Sequence, residues 1–444
     1  MLRFFKQLYL LKRIYIGLGI LIALFIVAFI FPIIYNVVWG IFLLFLAMLL
    51  VDITLLFSGK NKIKATRNLP EKLSNGDENP IYITLQNNYN FTTYFEIIDE
   101  IPFQFQKRDF EISKTITAKQ ENTFVYHLCP KTRGNYSFGK LNIYASSPLR
   151  LIARRFIFSD QQELSCYPSF IQMKKYDLIA FSKNKFAFGL KKLRKIGNTT
   201  EFEQIKEYVL GDDIRTINWK ATAKKRELMV NQYQDENTET IYSLIDKGRV
   251  MQMPFNGMSL LDYAINSSLA LSNVILKKND RVGLMTFSRS IENVVPADSK
   301  KSHLSKIMEQ LYNVQTNFKE SDFGKLYAQI KHKITHRSLL ILYTNFESLS
   351  SLKRQLPYLR AIAKNHVLVV VFFENTELTA LTEKKAKNID EIFDKVIAEK
   401  FNFEKRLIVN ELTKYGIQSV LTKPEDLSIN TINKYLEIKA KGSL

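Results

Sequence analysis

The sequence predicts a multi-domain protein: two N-terminal transmembrane helices, an immunoglobulin-like β-sandwich, and a C-terminal α/β domain with a doubly wound, mostly parallel sheet. Three observations predict it. Ile14 to Phe57 is almost continuously apolar and about twice as long as one bilayer crossing requires. From about Lys62 to Pro168 short alternating runs are separated by turn signals. Beyond Tyr233, fully apolar strands alternate with amphipathic helices, the pattern of a parallel sheet covered on both faces. The expected boundaries are 1–60 for the membrane hairpin, 61–170 for the sandwich, 171–236 for a basic linker and connecting segment, and 237–444 for the α/β domain.

Pro32 and the polar pair Tyr35-Asn36 near the middle of the apolar run divide it into two spans. Lys6, Lys12 and Arg13 precede the first span, Lys60, Lys62, Lys64 and Arg67 follow the second, and the turn carries no basic residue. By the positive-inside rule both ends, and the domains beyond, face the cytoplasm from the inner membrane. Tyr35 and Trp39 then lie near the outer interface, where amphipathic rings are favoured. A cleaved signal peptide would have a shorter apolar core and a small-residue cleavage site. Asp52 lies toward the cytoplasmic end of the second span, where it faces water or the partner helix at modest cost.

In the second region Ile81 to Leu85, Tyr94 to Ile98, Thr115 to Thr117, Phe124 to Leu128 and Leu141 to Tyr144 read as strands at sandwich-like intervals. No catalytic constellation appears in them, so a spacer or interaction role is expected. The two cysteines, Cys129 and Cys166, give neither a disulfide framework nor a zinc pattern. Of five histidines, His332 and His336 have helical i, i+4 spacing, but no glutamate follows His332, and no metal is assigned there.

A net charge of +20 points to nucleic acid or to an anionic membrane face. Met173 to Lys195 concentrates it, with eight Lys and Arg interleaved with Phe181, Phe186 and Phe188. In a tethered chain, anionic lipid headgroups or an acidic partner are favoured and no nucleic acid is expected; a solvated linker is the alternative.

Glu201 to Glu236 is the most information-dense stretch. Gly211 suits the end of a short apolar run, Asp212 or Asp213 then caps a helix expected over Ile214 to Lys224, and Trp219 is expected to be its buried anchor. Arg215 lies close enough to both aspartates for a charge-assisted fork. A capped helix with solvated charges needs no function at all.

The run Glu201-Phe202, Glu207-Tyr208, Gly211-Asp212-Asp213, Arg215, Ile217-Asn218-Trp219, Ala221-Thr222-Ala223, Leu228-Met229-Val230 and Gln232 resembles the signature of domain-of-unknown-function family 58. That family joins a membrane anchor to a von Willebrand factor A-like domain and is usually encoded beside MoxR-type AAA+ ATPases. The resemblance implies a bacterial scaffold that binds such an ATPase, with Gly211, Asp212, Asp213, Arg215, Asn218, Trp219 and Lys220 as docking candidates. Arg133-Gly134-Asn135-Tyr136, Ser147-Pro148-Leu149 and the closing Tyr435 to Lys439 fit the same family.

A von Willebrand A edge carries magnesium on an Asp-x-Ser-x-Ser loop, a threonine and a second aspartate. The corresponding positions in this chain are degenerate. Asp246 matches, Gly248 and Val250 replace the serines, Thr316 stands at the threonine position, and Asn345 replaces the aspartate. That leaves too few oxygen ligands for a dedicated magnesium site, so no cofactor and no catalytic residue are expected. Asp246 is instead expected to cap its loop or to pair with Lys247 or Arg249. The rival readings are a metal-dependent hydrolase using Asp212, Asp213 and Asp246, or a protein that binds anionic lipid or nucleic acid through its basic surface.

Overall fold

The structure is a computed structural model, described for residues 2–59, 62–158, 161–173, 201–209, 212, 214–234, 238–384 and 388–442. The chain divides into two compact units, Met1–Tyr167 and Pro168–Leu444. The basic stretch beyond Met173, and Gly211 and Asp213, lie outside the described residues.

The first unit opens with a short helical turn, Leu2–Phe5, and continues through strand β1 (Leu8–Leu10), α1 (Lys12–Ile30) and α2 (Tyr35–Phe57). Both helices are long and apolar enough to cross a membrane, and most of their surface is exposed. They approach closely at Gly17, where an added Cβ would sit 2.7 Å from the Phe45 ring. Trp39 meets Phe25 and Phe42 edge-on.

Behind the hairpin come β2 (Ile63–Asn68), β3 (Leu73–Ser74), β4 (Asn79–Asn87), β5 (Thr93–Asp99), β6 (Glu111–Ile116), β7 (Glu121–Leu128), β8 (Gly134–Phe138), β9 (Leu141–Ser146), β10 (Ile152–Phe158) and β11 (Gln162–Tyr167). They form a five-stranded sheet, β1-β10-β9-β5-β6, and two three-stranded sheets, β2-β4-β7 and β3-β11-β8. One apolar core, including Ile83, Phe95, Ile97, Tyr136 and Ile143, is shared by this β-rich region. The Tyr136 hydroxyl donates to the Thr132 carbonyl at 2.7 Å, pinning the turn that the Arg-Gly-Asn-Tyr run announced. Inside the core Arg67 pairs with Asp99, which also accepts from the Tyr126 hydroxyl, so neither buried charge lacks a partner.

Asp52 does not face water or α1 as expected. Its Oδ2 accepts the backbone N–H of Leu151 and of Ile152, each at 3.1 Å, and so ties α2 to the start of β10. Leu56 of the same helix turn accepts from Arg154 and from the Tyr89 hydroxyl through its carbonyl. The aspartate is retained because two buried strand-end donors need an acceptor. Asp52→Ala should therefore destabilise the first unit by about 2–4 kcal/mol. Asp52→Asn, which keeps an acceptor oxygen, should retain most of that stability. Thermal unfolding of the detergent-purified protein reads the difference, and an Ala variant as stable as the parent would remove Asp52 from this role.

In the second unit a hairpin of β12 (Glu201–Glu207) and β13 (Met229–Gln234) brackets a short helix, α3 (Trp219–Lys225). The α/β domain then runs β14 (Thr240–Asp246), α4 (Leu260–Lys277), β15 (Arg281–Phe287), β16 (Ile291–Asp298), α5 (His303–Tyr312), α6 (Phe323–Lys333), β17 (Leu339–Tyr343), α7 (Leu349–Asn365), β18 (Val367–Phe373), α8 (Thr376–Glu383), α9 (Ile389–Lys414), β19 (Gln418–Thr422) and α10 (Leu427–Lys441). The sheet order is β16-β15-β14-β17-β18-β19, parallel except for edge strand β16. Pro296 sits in that edge strand, where a missing ladder donor is tolerated.

Alternate strand residues feed two cores. Ile241, Ile245, Leu339 and Ile341 pack with α4, α5 and α10; Leu244, Leu340, Leu342 and Val370 pack with α6, α7 and α9. α10 is held at the amino-terminal edge of the sheet, where Asp280 accepts from the Tyr435 hydroxyl, pairs with Lys439, and accepts the Glu239 N–H at 3.1 Å. Burial pushes the Glu239 carboxyl up to about 7, a rise that Lys439 opposes and Asp280 reinforces. The native state therefore holds a proton that the unfolded chain has already released, and this contribution to stability is lost as pH rises from about 4.5 to about 7. Glu239→Gln should flatten the stability profile across that window, measured by denaturant unfolding at a series of pH values; an unchanged slope would contradict the raised carboxyl.

Candidate functional site

The connecting hairpin differs from the expected capped helix in a specific way. Ile214–Thr216 form a single 3-10 turn, Ile217 bridges to Val230, and the helix proper begins only at Trp219. Its cap is Asn218, not Asp212: the Asn218 Oδ1 accepts the Ala221 N–H at 3.0 Å, and its Nδ2 donates to Asn231 at 2.8 Å. Thr222 accepts the Met229 N–H, and the Met229 carbonyl accepts that of Asn218. These bonds knot the helix across β13, with Met229 and Val230 as the buried residues.

Asp212 closes the turn after β12, accepting the Val209 N–H at 3.0 Å and pairing with Lys206 at 2.8 Å. Those bonds hold its carboxyl below the usual range, with the Lys206 hydrogen bond the largest cause. Of the expected fork from Arg215 to both aspartates, Asp213 lies outside the described residues. Trp219 corrects the sequence reading most directly. It is 70% exposed, as Lys220 beside it is exposed, because the short helix turns Ala221 and Thr222, not its first residue, toward the hairpin.

The second candidate region is the carboxyl edge of the parallel sheet. The chain leaves β14 toward β15 on one side and later returns to β17 on the other, so the crevice between β14 and β17 is a topological switch point. Asp246, fully buried, ends β14 there. Its Oδ1 accepts from the Gly248 N–H at 2.8 Å and from the Ser321 hydroxyl; its Oδ2 accepts from the Thr344 hydroxyl at 2.7 Å. Burial raises its carboxyl above the ordinary range, and these three donors oppose the rise.

Asp246 thus caps its loop, as one sequence alternative held, and does not pair with Lys247, whose ammonium is bound to Glu292. Arg249 opens the 3-10 turn after Gly248, and Val250 packs against the α4 core. The threonine position is also corrected. The 313–322 loop runs along the Asp246 loop, with Asn317 N–H donating to the Lys247 carbonyl and Arg249 N–H to that of Lys319. This alignment delivers Ser321, not Thr316, to Asp246. Sequence spacing missed it because the register comes from backbone bonds between two irregular loops.

The residues present do not fit magnesium. An added Cβ at Gly248 would meet the Ser321 Oγ at 2.2 Å and the Lys319 carbonyl at 3.1 Å, so the loop has no room for the serine that a metal site requires. Both hydroxyls near Asp246 donate to its carboxylate. Asn345 accepts from the Lys405 ammonium at 2.7 Å, and the Phe346 carbonyl accepts from the same ammonium at 2.7 Å. A cation already stands at the position of the second aspartate. Burial pushes Lys405 down to about 8, partly offset by Glu347. Lys405 lies far along the chain in α9, and no local motif signals it.

Among the described residues no three His, Cys, Asp or Glu side chains are placed to hold a metal ion. The hydrolase reading needed Asp212, Asp213 and Asp246 to converge, and nothing supports it. His332 lies in the last turn of α6, with His336 beyond its end.

Residues 204–382 match the family model described as "Protein of unknown function DUF58". "Uncharacterized protein YeaD" of Bacillus subtilis (strain 168) is 20% identical over 280 residues, covering 62% of this chain and 68% of that protein. Among solved structures, the conserved hypothetical protein BatB from Bacteroides thetaiotaomicron is 12% identical and covers 46% of this chain and 99% of that one, with a TM-score of 0.29. The CARDB domain of the PF1109 protein from Pyrococcus furiosus, solved in complex with di-metal ions, is 9% identical and covers 23% of this chain and 86% of that one, with a TM-score of 0.17.

The closed Asp246 loop makes a direct prediction. Gly248→Ser should destabilise the domain by about 1–3 kcal/mol, because the new side chain displaces Ser321 from the buried carboxylate. Added magnesium should not restore the unfolding temperature; restoration would reinstate an ion at this edge.

Proposed function

We propose that the protein is a membrane-tethered, cytoplasm-facing adaptor whose α/β domain, von Willebrand A-like with a metal-free edge, docks a protein partner, a MoxR-type AAA+ ATPase. The observation that carries the reading is the exposure of Trp219. A large aromatic presented to solvent within a segment so rich in family-like residues suits a docking surface, where tryptophans supply much of the binding energy. Ile214 and Val209 of the same segment are also exposed, at 69% and 62%. Lys220, Lys224, Lys225 and Arg226 follow Trp219 in the chain, which favours an acidic partner face.

The carboxyl edge of the sheet supports an adaptor over an enzyme for a separate reason. Its one buried carboxylate is saturated by three donors, and its amide partner is held by an internal ammonium. Neither group is poised to accept or deliver a proton to a substrate. The apolar hairpin supports the tether.

Trp219→Ala should leave stability within about 0.5 kcal/mol of the parent, since the side chain is exposed, while abolishing recovery of the ATPase. The test is affinity purification of the tagged full chain from detergent-solubilised membranes, with and without ATP, followed by mass spectrometry. Equal recovery with the folded variant would overturn the docking role of Trp219, and absence of any AAA+ ATPase from the parent preparation would overturn the adaptor assignment.

A further inference from the structure

The α9 helix carries a surface that the signature segment does not explain. Ile389, Phe393, Ile397 and Phe401 follow one another at four-residue steps, which places them along one side of the helix. They are 73%, 64%, 49% and 43% exposed. A helix on an α/β sheet ordinarily buries its apolar stripe, and the second half of α9 does so through Ile408 and Leu412. Its first half leaves an apolar ridge in solvent, widened by Ile392 and Val396.

The ridge ends at a cavity. Phe401 belongs to both, and Met253, Phe255, Leu260, Phe373 and Leu378 supply the other apolar walls of a space of about 290 Å³. That is at the lower end of the range of small-molecule sites, about 300–1,000 Å³, and is large enough for an anchoring side chain. Glu347, Glu374 and Glu377 also line it, against one cation, Lys405, whose ammonium is already bound to Asn345 and the Phe346 carbonyl.

Charge selects the occupant. Residues 374–406 as a whole are nearly balanced, eight Asp and Glu against seven Lys and Arg, but the cavity itself is lined by three glutamates against one lysine, a local acid excess in a chain of net charge +20. An anionic membrane surface would be repelled by it. A symmetric pairing of two copies through this face would set ridge on ridge and therefore acid against acid. We propose that the α9 ridge and the cavity at its foot receive a basic, amphipathic segment of another protein, apolar residues along the ridge, one side chain in the cavity, and Lys or Arg against the glutamates. This rests on the α/β domain being a docking module, and not on the identity of the ATPase.

The test uses the full chain in phosphatidylcholine nanodiscs and two fluorescein-labelled synthetic helices, one of leucine and lysine and one of leucine and glutamate in the same pattern. Binding of the leucine-lysine probe, followed by fluorescence anisotropy, should weaken by about tenfold or more in Phe393→Asp/Ile397→Asp and in Glu374→Lys/Glu377→Lys. The leucine-glutamate probe should bind neither parent nor ridge variant. Because the substituted ridge residues are exposed, the unfolding temperature should hold, and this is measured alongside. Unchanged probe binding in both folded variants overturns the proposal. So does a ridge substitution that abolishes binding to phosphatidylglycerol vesicles or converts a dimer to a monomer while sparing the probe, since lipid or a second copy would then own the face. If the ATPase co-purifies but the probe ignores the ridge, the receptor fails and the adaptor stands; if the probe needs the ridge but no ATPase co-purifies, the reverse holds.

Discussion

One buried carboxylate sets the geometry of the sheet edge on which this protein's chemistry would be sought. Asp246 has no access to water, so its charge must be met by donors from the protein itself. They come from its own loop and from two segments remote in sequence, the residue after β17 and the loop before α6. Satisfying the carboxylate draws the 313–322 loop over the crevice and fills the space beside Gly248.

The same device recurs wherever the chain joins remote segments. Asp280 gathers the closing helix α10 at the opposite edge of the sheet, Asp99 meets Arg67 within the β-rich core, and Asp52 joins α2 to β10. Burying an acid costs stability unless its partners are correctly placed, so each of these locks penalises any other arrangement of the segments it connects. That is a contribution to specificity more than to net stability.

Periodicity made the helices of the hairpin and the parallel strands legible, because burial of whole strands and stripes leaves a repeating trace. Leu339–Tyr343 and Leu260–Lys277 fall where apolar spacing puts them. What escaped was set by contacts without period. Ser321 reaches Asp246 through loop-to-loop backbone bonds, Lys405 reaches Asn345 from a helix some 60 residues on. Trp219 was misjudged because tryptophan is usually read as core. Its environment depended on where α3 begins, and the Asn218 cap moves that start past the point where an aspartate cap would have set it.

The most exposed large apolar side chains of the second unit include Phe318 in the 313–322 loop, the segment around Trp219 and the α9 ridge, and the charges near the last two differ in sign. Lys220, Lys224, Lys225 and Arg226 follow Trp219 in the chain, whereas Glu347, Glu374 and Glu377 line the cavity at the foot of the α9 ridge. Apolar surface alone would bind almost any complementary patch; the surrounding charge decides which patches are rejected. A face that suits one of these surfaces is repelled by the other, so a single uniform partner surface cannot satisfy both. The two surfaces therefore differ in the partner chemistry they would accept.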